Sequence, residues 1–86
     1  MNNDTVNHPN HYQGLYGVEA IEVMRNFIPK YEDAFVGSMV KDVLKYVLRA
    51  PAKGNQLEDL KKARKYLDFA ICELEIRESE IKNENQ

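Results

Sequence analysis

Apolar residues along this chain repeat with the period of an α-helix everywhere except in residues 1–16, where Asn, His, Pro, Gly and Gln dominate and no period is visible. That first stretch reads as an irregular arm. In "GVEAIEVMRNFI" the positions Val18, Ile21, Met24 and Ile28, joined by Phe27, mark one face, while Glu19, Glu22 and Arg25 mark the other. This predicts a helix over about 17–28, stopped by Pro29. A second helix is expected over about 32–50, ended by Pro51. Its apolar arc, from Phe35 and Val36 to Val47 and Leu48, is broad enough to make it the most buried element, with Gly37 and Ser38 interrupting its first turns. Asn55 followed three residues later by Glu58 has the form of a capping box, opening a third helix over about 56–81. There Leu57, Leu60, Leu67, Ile71, Leu74 and Ile81 fall on a heptad seam broken by Arg64 and Glu78. The seam is expected to pack the second helix along its first half and another subunit along its second. Residues 83–86 read as a disordered tail. No strand pattern competes. The expected fold is all-α: a small helical hairpin or three-helix unit, one domain over 17–82, with an irregular N-terminal arm (1–16) and a long C-terminal helix.

With 86 residues and 43% hydrophobic content, the chain has room for one core, and a core this small is marginal unless something staples it. The lone Cys72 excludes an intrachain disulfide; it fits a reducing compartment and is expected as a core thiol of the third helix. Homo-oligomerisation through the 57–81 seam is the remaining staple. The start "MNNDTVNHPNHY" lacks the basic and apolar segments of a signal peptide, and no apolar run exceeds "FAIC", so a soluble cytoplasmic protein with no membrane contact is expected.

The formal net charge of −2 conceals a pattern. Residues 1–40 hold two Lys/Arg against five Asp/Glu, residues 41–65 eight against three, and residues 66–86 two against six. A basic island therefore surrounds the connector "PAKGN". Lys41, Lys45 and Arg49 share one helical edge; a row of this kind is ordinarily a solvated face. Here it stands beside the start of the third helix, whose free N–H groups and positive dipole end suit an anion. Gly54 lets the backbone come close, Asn55 opens the helix, and Lys45, Arg49, Lys53, Lys61 and Lys62 can reach the same region. An arginine grips phosphate with two parallel hydrogen bonds, whereas each lysine acts as a point charge. Glu58 and Asp59 either complement the helix dipole or hold Mg²⁺ against the phosphate. In the arm, His8 and His11 are metal candidates without a third ligand; with Tyr12 they suit hydrogen bonding to a base or stacking on it. The alternative is that the arm's Pro and aromatics only pin it to the helices. There is no P-loop and no nucleophile constellation.

Three stretches, "VNHPNHY", "GVEAIEVM" and "KYVLRAPAKGNQLEDLKKARKYL", together resemble the SaV-like family of small bacteriophage proteins over about residues 6–71. The series Lys45, Tyr46, Arg49, Ala50, Lys53, Gly54, Leu57 to Ala63, Tyr66 and Leu67 carries the likeness most specifically. In this chain Lys41, Asp42, Pro51 and Ala52 depart from the family pattern. That family includes a coliphage nucleotide kinase lacking a P-loop. The resemblance implies a nucleotide ligand, ATP or another, with His8, His11, Tyr12, Lys45, Arg49 and Lys53 on the nucleotide and Glu58/Asp59 on Mg²⁺, in the host bacterial cytoplasm. Two functions follow: phosphoryl transfer to deoxynucleoside monophosphates, or a non-catalytic sponge that sequesters a host antiphage signalling nucleotide. Nucleic-acid binding ranks lower, because the sequence pI near 5.6 opposes a polyanion. A protein adaptor comes last.

Overall fold

The computed structural model describes residues 8–52 and 54–84. It is all-α: a 3₁₀ turn at Asn10–Tyr12, helix α1 (Ala20–Phe27), a second 3₁₀ turn at Ile28–Lys30, then α2 (Ala34–Arg49) and α3 (Gln56–Glu84). Among the described residues the only extended pairing is an isolated antiparallel bridge between Gln13 and Glu19. No described helix is long and apolar enough to cross a membrane.

The first helix starts at Ala20, later than the period suggests. Gly17 takes the left-handed φ of 87°, Gly14 donates its N–H to the Val18 carbonyl at 2.7 Å, and Glu19 stays extended, so residues 13–19 close a tight loop instead of a helical turn. The expected apolar face is corrected too. Val18, Ile21 and Phe27 are more than half exposed while Ala20 is buried, because α1 turns its Ala20 side inward. Pro29 lies in the 3₁₀ turn that ends this segment.

Helix α2 starts where Asp33 caps it, the Val36 N–H donating to Asp33 Oδ1 at 2.8 Å. Gly37 does not interrupt it. This glycine is buried, and a Cβ there would stand 3.3 Å from Tyr31 Cβ and 3.7 Å from Ile28 Cγ2, so its bare backbone is what lets the 28–31 turn fold onto the helix. The helix packs against α1, α3 and both 3₁₀ turns, which makes it the centre of the fold. Its Phe35, Val47 and Leu48 nonetheless remain over a third exposed.

Helix α3 begins as a reciprocal capping box: the Glu58 N–H donates to Asn55 Oδ1 and Asn55 Nδ2 donates to Glu58 Oε2, both at 3.0 Å. It runs to Glu84, beyond the expected 81, so two residues assigned to the tail are helical. At 1.5 Å per residue α3 is about 44 Å long and α2 about 24 Å, and the overhang gives extents of 63 × 26 × 20 Å.

The main correction concerns which face of α3 meets α2. The two helices run antiparallel and are tied at both ends by ion pairs, Arg49–Asp59 at the hinge and Asp33–Arg77 at the far end. Between these, Ala63 and Ala70 are buried and Tyr66 stacks on Tyr46, ring centroids 5.6 Å apart and planes 8° from parallel. The inner face of α3 is thus Asp59, Ala63, Tyr66, Ala70, Glu73 and Arg77, a 4-3 alternation of small, aromatic and charged residues. The seam of Leu57, Leu60, Leu67, Ile71, Leu74 and Ile81 lies roughly 100° away around the helix and is 44–64% exposed along its whole length. The alanines win the interface because they let the two backbones approach, and the end pairs fix the register. Cys72, expected as a core thiol, is exposed for the same reason: it sits on the side of α3 turned from α2. The core that results contains Ala20, Val36, Ala50, Ala63 and Ala70, and among the described residues no large side chain is fully buried.

Candidate functional site

The hinge gathers charge around one ring. Arg49, in the last turn of α2, places its guanidinium 4.6 Å from the Tyr46 ring centroid, and the ammonium groups of Lys45 and Lys62 stand 5.4 and 5.6 Å from the same ring. Lysines and an arginine from two helices thus meet at the hinge, where the connector turns at Gly54 with φ 88°. A side chain there has open space around it, so the backbone conformation alone demands glycine.

Arg49 is already engaged. Its Nε donates to Asp59 Oδ2 at 3.3 Å and its Nη2 to Asp59 Oδ1 at 3.2 Å, with Asp59 only 4% exposed. Asp59 holds the guanidinium pKa above its ordinary value, and the Tyr12 hydroxyl adds a smaller push in the same direction. The pair is a structural bolt between α2 and α3. Glu58 turns elsewhere, to Asn55 and to Lys62 at 3.5 Å. The Glu58/Asp59 carboxylates are therefore split between different partners, and among the described residues no three His, Cys, Asp or Glu side chains form a metal-ligand group. Asp59 is taken up by Arg49, which leaves Glu58 as the more accessible of the two carboxylates.

Beside the hinge lies a cleft of about 390 Å³ between the arm, α1 and α2. Pro9, Ala20, Ile21 and Met24 supply apolar walls; His8, Tyr12, Lys41, Asp42 and Lys45 supply the polar groups. His8 is held by Glu19, with Nδ1 and Oε1 2.5 Å apart, and Gln13 donates to the His8 carbonyl at 2.7 Å. The loop that delays α1 is what brings Glu19 to His8. Lys45 links the two features, since it lines the cleft and also covers Tyr46.

Of the residues singled out from sequence, His8, Tyr12 and Lys45 meet in the cleft, and Lys45, Arg49 and Lys62 meet around Tyr46. His11 packs against Tyr12, ring centroids 4.1 Å apart, and does not line the cleft. Asn55 and Gly54 shape the hinge, and Lys61 is exposed on α3. Lys53 lies outside the described residues. Sequence reasoning missed Glu19, Asp42 and Tyr46 as members of the site, and left Lys41 as the end of a cationic row. Tyr46 had a signal, its position inside that row, whereas the His8–Glu19 contact spans eleven residues of loop and had none.

A capped helical hairpin, an arm folded back on it and a lysine-lined cleft describe a small all-α protein. The sequence profile of DUF3310, a family of proteins of unknown function, matches residues 6–68. The chain belongs to that family. It is 44% identical over 67 residues to the Gene 1.7 protein of Enterobacteria phage T3, an alignment taking in 74% of this chain and 40% of the phage protein. The chain thus spans less than half the length of that relative, and the similarity supports a bacteriophage origin. No solved structure matches the chain.

Proposed function

We propose that the cleft between the arm, α1 and α2 binds a nucleotide, and that the chain is a phage nucleotide-binding protein acting in the host cytoplasm as a self-associated species. The observation that carries this reading is the cleft's composition: apolar walls for a base or sugar at one side, and Lys41 and Lys45, one turn apart on α2, for phosphate at the other. Tyr12 and His8 face the same space and suit the base. Lys62 at the hinge extends the positive field toward a second phosphate. Arg49 contributes to that field while remaining bonded to Asp59.

The resemblance to SaV-like proteins favours phosphoryl transfer from a nucleoside triphosphate to a deoxynucleoside monophosphate, driven by positioning and charge neutralisation. A different observation favours simple sequestration: a cleft of about 390 Å³ suits one nucleotide, not two. One experiment separates the two. The protein is incubated with γ-labelled ATP and each deoxynucleoside monophosphate, and calorimetry is run in parallel with the same nucleotides. Label transfer supports the kinase, and binding without transfer supports the sponge. Under either, Lys45→Ala lowers nucleotide affinity tenfold or more, about 1.4 kcal/mol. Unaltered affinity in Lys45→Ala removes the cleft from the account.

A further inference from the structure

The outer face of α3 is an exposed apolar stripe. From Leu57 to Ile81 it carries six aliphatic side chains at heptad spacing, each 44–64% exposed, over about three and a half heptads. Among the described residues nothing covers them fully, since α2 uses the neighbouring face through Asp59, Ala63 and Ala70. Two polar residues, Arg64 and Glu78, interrupt the seam, and these decide the orientation of any partner helix.

We infer that α3 pairs with α3 of a second copy in antiparallel orientation, with residue 69 at the two-fold centre. A parallel, in-register pair would stack Arg64 on its own copy and Glu78 on its own copy inside an apolar interface, where like charges repel and lose water. The antiparallel pair seats Arg64 against Leu74 of the second copy and Glu78 against Leu60, so that each long side chain lies along an aliphatic one with its charged end free to reach solvent. Leu57 then meets Ile81, and Leu67 meets Ile71. The flanks agree: Lys61 comes opposite Glu75 on both sides of the axis, and the one like-charge meeting is Asp68 with its copy at the centre. The longer-range charge points the same way. Residues 56–65 hold four basic groups against two acidic ones, and residues 66–84 hold two against six, so antiparallel pairing lays the positive half of each helix on the negative half of the other.

This inference rests on the self-association reading and specifies its geometry. The test uses the full chain with Cys72→Ser, spin-labelled at Lys82→Cys in one preparation and at Gln56→Cys in another, with mass measured by light scattering and distances by pulsed dipolar spectroscopy. Each residue lies thirteen positions from the centre, so either preparation alone gives a separation of about 40 Å. The two preparations mixed give a new separation below about 20 Å, set by the spacing of packed helices. A parallel pair reverses both results and overturns the orientation while leaving self-association standing. A monomeric mass overturns both. Nucleotide affinity, scored separately by calorimetry on the same samples, reports on the cleft whichever way the helices pair.

Discussion

The two faces of α3 differ in a way that inverts the usual expectation. The inner face, which packs on α2, is made of two alanines, a tyrosine and charged residues; the outer face, about half exposed, is leucine and isoleucine. Small side chains and end-to-end ion pairs are enough to align two helices in one chain, where the short connector keeps them close and the entropy of closing it is small. The aliphatic side chains, by contrast, stay 44–64% exposed. Close approach thus marks the side of the helix used within the chain, and bulk hydrophobicity marks the side left exposed.

Breaking the inner face at its ion pair should have the largest effect. Asp59→Ala leaves Arg49 without its bidentate acceptor at the hinge and is expected to cost about 2–3 kcal/mol in urea unfolding; a change below about 0.5 kcal/mol would show that the pair is incidental. Ala70→Leu should cost about 1–2 kcal/mol by forcing the two helices apart. The matched change on the outer face, Leu67→Ala, sharpens the contrast. It should leave the fold of an isolated chain nearly unchanged, as an exposed substitution does, while weakening self-association in sedimentation runs. If Leu67→Ala instead unfolds the dilute protein, the seam belongs to the intrachain core after all.

These contrasts also show what was legible in sequence. The all-α class, the breaks at Pro29 and Pro51, and the Asn55–Glu58 cap were readable because each rests on contacts within a few residues. The partner of each α3 face was not, since a heptad period says that a stripe is apolar without saying which neighbour it meets. The site was legible in the same uneven way. Lys45, Arg49 and Lys62 were visible as a basic island, but the engagement of Arg49 by a buried Asp59 depends on the register of two helices, and the cleft depends on a loop that carries His8 back to Glu19. It follows that Arg49→Ala is a poor probe of ligand binding, because it also removes a bolt of the fold. Lys45 is the cleaner one.

The central claim is that ligand phosphate sits in the cleft at Lys41 and Lys45. Amide chemical-shift mapping during titration with a deoxynucleoside monophosphate tests it most directly. Shifts should concentrate at His8, Tyr12, Lys41 and Lys45, with the 67–81 face unmoved. Saturable binding with shifts confined to α3, and none along the arm or the Lys41–Lys45 turn, would contradict it.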